Sequence, residues 1–116
     1  MMQDFLQLDD ILIAEQGSSF FVAYDLALYK DNTFIGQPSW GSIGYTLPAT
    51  LGTEIAEPHR RNVLLIGDDS LQLTVQSLST MIRQQLKPII FVVNNDGYTV
   101  ECLIHGMKEP YNDIHI

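Results

Sequence analysis

The chain has 116 residues, 46% of them hydrophobic and 17% charged, enough for one hydrophobic core and too apolar for a disordered segment. Its formal charge of −8, from 14 acidic and 6 basic side chains without a Lys/Arg cluster, repels a phosphate backbone and argues against nucleic acid as a partner. The single cysteine, Cys102, permits no disulfide within the chain, and no stretch has the pattern of a signal peptide or the length of a membrane span, so a cytoplasmic protein without a membrane partner is expected.

Ile11 to Ala14 is predicted as a short buried strand, ended by the turn Gly17-Ser18-Ser19 and followed by an apolar stretch, Phe20 to Leu28, that suits a helix. Thr33 to Ile35 is a small strand leading into the loop Gly36-Gln37-Pro38-Ser39-Trp40-Gly41. Leu47, Leu51 and Ile55 then recur at helical spacing; Pro48 must sit in that helix's first turn, and Pro58 closes the segment. Val63 to Ile66 is a continuous apolar run, as expected of a strand covered on both faces. Leu71, Val75, Leu78, Ile82 and Leu86 step by four, three, four and four, which predicts one stripe of a long helix capped by Asp69 or Ser70. Ile89 to Val93 is predicted as a third buried strand and Thr99 to Ile104 as a short helix. This alternation argues for one α/β domain over residues 1–116, an open, mainly parallel sheet with helices on both faces and right-handed crossovers.

Two polar motifs stop at strand ends: Gly67-Asp68-Asp69-Ser70 and Asn94-Asn95-Asp96-Gly97. Between Asp68 and Asn95 there is room for one helix and one further strand, which would bring the two back side by side. A carboxylate and an amide carbonyl are hard oxygen donors suited to Mg²⁺, and a helix opening at Ser70 suits a diphosphate. Alone, the first motif is a helix start and the second an ordinary turn. Together, beyond the carboxyl ends of parallel strands, they mark a ligand crevice. Neither matches a Walker loop or a dinucleotide fingerprint. Gly41, Ser42 and Gly44 read as a loop bend with Trp40 packed beneath it, Glu101 as solvated, His105 as packing or capping, and Cys102 as a small buried hydrophobe. His59 and His115 receive no role.

Longer stretches carry a resemblance: Ala14-Glu15-Gln16-Gly17-Ser18-Ser19-Phe20-Phe21, Gly36 through Tyr45, Ser70-Leu71-Gln72-Leu73-Thr74-Val75-Gln76, Asn94 through Glu101, Ile104-His105-Gly106 and Tyr111-Asn112-Asp113-Ile114. In these, the chain resembles the diphosphate-binding domain of thiamine-diphosphate-dependent 2-oxo acid decarboxylases. The resemblance implies thiamine diphosphate and Mg²⁺ as cofactors, with Asp68, Asn95 and the Gly97 carbonyl as metal ligands. It implies that Ser18 and Ser70 donate to the phosphates near the Val100 backbone, that Gly41 accepts from the aminopyrimidine, and that Ile43 holds the cofactor bent. Glu101 matches the family's catalytic glutamate, and Val100 and Ile104 line the pocket for a small 2-oxo acid. The cofactor itself takes up the electrons left when CO₂ departs.

The family pattern also sets expectations for what lies elsewhere. The pyrimidine-binding domain would come from the same or another chain, within a homo-oligomer, and the segment by itself would be an inactive part of the domain, incomplete at its C-terminus. The alternatives are a remnant or binding module without catalysis, or one half of a split enzyme. Asp69 stands where the family carries Gly. Its carboxylate would weaken the cofactor if aimed at the phosphates and matter little if it faced solvent or capped the helix.

Overall fold

Two strands with no polar residue in their interiors set the architecture. β1 (Ile11–Ala14) and β3 (Asn62–Gly67) pair in parallel, and because both carry apolar side chains toward each face, both faces must be covered. β2 (Thr33–Ile35) adds outside β1 and β4 (Ile89–Val93) outside β3, giving a four-stranded, all-parallel sheet of order β2-β1-β3-β4. The structure, a computed structural model, describes residues 2–106; the matching stretch at Tyr111 to Ile114 and His115 lie outside the described residues.

Alternation along the strands sorts the core into two layers. Leu12, Ala14, Val63 and Leu65 face α1 (Met2–Phe5) and α2 (Ser18–Tyr24), and pack with Leu6, Ala23, Phe20 and Phe34. Ile11, Ile13, Leu64 and Ile66 face the other way, against Leu47 and Leu51 of α3 (Thr46–Ala56) and Met81 and Leu78 of α5 (Gln76–Arg83). Each such buried side chain contributes about 1.5–3 kcal/mol of hydrophobic stabilisation. The expected α/β sheet with helices on both faces is the fold observed. The chain moves outward from β1 to β2, then crosses back over β1 through α3 to reach β3. That reversal of direction between β1 and β3 makes a crevice at their carboxyl ends.

The long helix expected after Gly67 is two helices. α4 (Asp68–Leu73) stops at Thr74, whose hydroxyl donates to the Gly44 carbonyl at 3.0 Å, and α5 restarts at Gln76. The break turns the stripe: Leu71, Leu78 and Leu86 still pack on the sheet, whereas Val75 and Ile82 are exposed. Neither Asp69 nor Ser70 caps α4, since both lie inside its first turn and Gly67 holds the cap position. α2 ends at Tyr24 and not at Leu28, because the Gln3 side chain brackets Ala27, donating to its carbonyl at 2.7 Å and accepting from its N–H at 2.8 Å. β4 is not a buried strand among the described residues: it pairs only with β3, and Phe91, Val92 and Val93 are exposed. Trp40 is likewise exposed and not packed under its loop.

At the opposite, amino end of the strands, Asp10 is buried and ties the fold together. It accepts from Arg61 Nε at 2.9 Å and Nη2 at 2.5 Å and from the Gln7 N–H at 2.8 Å, while Arg61 also donates to the Phe5 carbonyl and lies over the Phe5 ring. Burial on its own would raise the Asp10 carboxyl, but the Arg61 bonds, the Gln7 N–H and the nearby guanidinium charges outweigh it and hold the group below the usual carboxylate range. A depressed folded-state pKa gives stability that is present above the unfolded value and lost as pH falls through the folded one. Asp10→Asn is therefore expected to cost about 3 kcal/mol at pH 7. In denaturant melts the gap from wild type narrows below about pH 4, where the unfolded carboxyl takes up its proton; a gap independent of pH would contradict this.

Candidate functional site

The crevice holds a cleft of about 440 Å³. Glycines shape its rim. Gly17, at φ 105°, turns the chain from β1 into α2, and a Cβ there would stand 4.0 Å from Val100 Cγ2. Gly97, buried at φ 131°, reverses the chain between β4 and α6 (Thr99–His105). Both conformations belong to the region that side chains disfavour. Ser18, Gly41, Ile43, Asp68, Ser70, Asn95, Gly97, Val100 and Glu101 all line this one cleft, so residues distributed over four loops converge. Ile104 is the exception. It sits one turn beyond Val100 on α6, outside the wall and 65% exposed, because a helical turn carries it about 5.4 Å further along the axis.

Asp68 is buried, and its Oδ2 accepts from the Asp96 N–H at 3.2 Å, which leaves Oδ1 turned to Asn95. The Asn95 amide lies 3.1 Å from Asp68 Oδ1 and also touches Thr99 Oγ1. Turned one way, its nitrogen donates to Asp68 Oδ1 and to the Val93 carbonyl. Turned the other, an amide oxygen and a carboxylate oxygen face each other across 3.1 Å. That spacing is the length of an ordinary amide–carboxylate hydrogen bond, and two cis oxygen ligands of an octahedral ion at about 2.1 Å would stand a similar distance apart, about 3.0 Å. Among the described residues no three His, Cys, Asp or Glu side chains group to hold a metal.

Asp69 turns inward, to neither solvent nor the helix cap. It is 2% exposed, and neither of its oxygens has a hydrogen-bond partner. Burial first, and the adjacent Asp68 charge second, push its carboxyl up. The same crowding reaches Tyr98: burial, then the charges of Asp69 and Asp68, push its phenol up, so it remains a donor at neutral pH. Of the two serines that line the cleft, Ser70 is buried and Ser18 exposed.

Glu15 is a residue whose role sequence reasoning missed. Fully buried, it accepts through Oε2 from the N–H groups of Gly44 (3.0 Å) and Thr46 (3.2 Å) and the Thr46 hydroxyl (2.8 Å), and through Oε1 from the Gln16 N–H (3.0 Å). One carboxylate thus fastens the loop that carries Gly41 and Ile43 to the end of β1. Its signal was available, since it is the first ionisable residue after a fully apolar strand in a parallel sheet. Glu101 lines the cleft, half exposed, and pairs with His105 one turn on at 3.3 Å. The expectation that His105 packs or caps is therefore corrected: its partner is the acid four residues before it. Cys102 is only partly buried.

The family model of the thiamine pyrophosphate enzyme C-terminal TPP binding domain matches residues 16–111. The chain belongs to this family. It is 61% identical over 105 residues to an alpha-keto-acid decarboxylase of Mycobacterium avium (strain 104), 60% to that of Mycobacterium tuberculosis (strain ATCC 25618 / H37Rv) and 59% to that of Mycobacterium ulcerans (strain Agy99). Each match covers 90% of this chain and 19% of the relative, so the chain spans about a fifth of the length of the curated relatives it matches. Among the described residues no helix is long and apolar enough to cross a membrane.

Proposed function

We propose that this chain supplies the diphosphate and Mg²⁺ half of the active site of a thiamine-diphosphate-dependent decarboxylase that converts a small 2-oxo acid to an aldehyde and CO₂. The observation that supports the reading is the convergence of Asp68, Asn95, Gly97, Ser70 and Ser18 on one cleft, with the Asn95 amide against Asp68 Oδ1. Asp68, Asn95 and the Gly97 carbonyl would hold Mg²⁺, an ion that prefers oxygen donors of this kind. The Ser18 and Ser70 hydroxyls donate to the diphosphate beside the Val100 backbone. Gly41 and Ile43, on the loop that Glu15 fastens, would orient the aminopyrimidine end of the cofactor. When bound, the cofactor supplies the electron sink for decarboxylation. Glu101, at the mouth, handles the proton exchanged with the reacting carbon, and Val100 shapes the substrate side of the pocket.

The rest of the site comes from a pyrimidine-binding domain, of the same or another chain, in a cytoplasmic homo-oligomer. CO₂ release from pyruvate or a branched 2-oxo acid, with thiamine diphosphate and Mg²⁺ present, tests the division. Release is expected only when the pyrimidine-binding domain is present, and turnover by the 116-residue segment alone would overturn the reading. In the complete enzyme, Glu101→Gln keeps the size of the side chain and removes its basicity. It is expected to lower kcat by roughly a hundredfold or more, with thiamine diphosphate affinity within a few-fold of wild type. An unchanged kcat would remove Glu101 from the chemistry.

A further inference from the structure

Asp69 is a cleft residue for which the assigned roles leave no use. It is 2% exposed, lines the same cleft as Asp68 and Asn95, and has two shielded oxygens that accept no hydrogen bond. Gln16 Oε1, on the same wall, is also shielded and without a donor. Among the described residues no Lys, Arg or His lines the cleft, and the acids in their ion pairs are Asp9, Asp10 and Glu101. A buried carboxylate without a donor or counter-charge is strongly unfavourable, and either a proton or a bound cation can relieve it. A diphosphate is repelled by such a group. A cation is attracted, and the oxygen edge for one lies at the neighbouring residue.

We propose, resting on the function assigned above, that Asp69 joins Asp68 as a second carboxylate toward the divalent cation, so that this protein takes up the ion before the diphosphate and without it. Mg²⁺-type ions use one or two carboxylates and complete their shell with water and phosphate. Asp68 alone neutralises half of a dication and leaves the other half to the diphosphate. Asp68 and Asp69 together neutralise all of it, which makes ion binding independent of the cofactor and makes cofactor binding depend on the ion already being present.

The test is the free Mn²⁺ signal in electron paramagnetic resonance, with the full chain and no thiamine diphosphate. Wild type is expected to take up Mn²⁺. Asp69→Asn, nearly the same shape, and Asp69→Gly should bind Mn²⁺ alone at least tenfold more weakly, and should regain uptake when thiamine diphosphate is added. Equal affinity for Mn²⁺ alone in wild type and both variants overturns the inference. So does loss of uptake in the variants with thiamine diphosphate present, since Asp69 would then serve the fold and not the ion alone. Asp68→Ala separates the two levels: it should lose uptake under both conditions, and wild-type uptake by it would overturn the assigned function together with this inference.

Discussion

Asp68→Ala is expected to weaken Mg²⁺-dependent binding of thiamine diphosphate by roughly a hundredfold or more. Removing even a group that merely orients a metal ligand costs about 10–100-fold in metal affinity, and Asp68 is proposed to touch the ion itself. The substitution removes the carboxylate whose Oδ1 faces the Asn95 amide and whose Oδ2 accepts from the Asp96 N–H. It therefore loosens the 94–97 turn as well as the metal edge. Asp68→Asn separates these effects. It can keep an acceptor toward Asp96 but loses the charge, so its turn should stay ordered while cofactor affinity falls. Calorimetric titration of each variant with thiamine diphosphate, with Mg²⁺ and with a chelator, reads the difference. Equal affinity in wild type and Asp68→Ala would contradict the role given to this residue.

Glu15→Ala is expected to have the second largest effect, on stability first and on the cofactor through it. Four donors from Gly44, Thr46 and Gln16 converge on this carboxylate, and truncation leaves them buried without an acceptor. Unpaired buried groups cost about 1–3 kcal/mol each, partly relieved by local relaxation, so a net loss of about 3–5 kcal/mol is expected in denaturant unfolding. Glu15→Gln keeps acceptor oxygen on one side and places an amide N–H against the donors on the other. It should recover part of the loss and retain measurable thiamine diphosphate binding at reduced affinity, because the loop bearing Gly41 and Ile43 is then held at fewer points. A melting transition of Glu15→Ala within experimental error of wild type would show that the latch contributes nothing.

These two residues also show how far the sequence alone could go. The four strands were legible because their runs are short, rich in β-branched and apolar residues and bounded by turns. The convergence of Asp68 with Asn95 followed from topology, since parallel strands send their carboxyl-end loops to one edge. Glu15 was harder to read, because a buried acid beside a turn looks like any loop residue until the partners that satisfy it, Gly44 and Thr46, are brought to it by the crossover of α3. The helix after Gly67 was misjudged for a related reason. Helical spacing from Leu71 to Leu86 is unbroken in the sequence, but Thr74 is tied to the Gly44 carbonyl, a contact between segments that spacing does not encode. Asp69 showed the opposite limit. Its identity departs from the family pattern in plain view, whereas its direction, inward and unpaired, depends on how α4 begins.

The cation edge itself is tested most directly by a crystal structure of the full chain with thiamine diphosphate and Mn²⁺, with the ion located by its anomalous scattering. One peak is expected within about 2.0–2.3 Å of Asp68 Oδ1, Asn95 Oδ1 and the Gly97 carbonyl, on the side of the diphosphate, with the Asp69 carboxylate toward the same ion. A diphosphate seated in the cleft with no ion at that edge, or an ion held by other residues, would contradict the account.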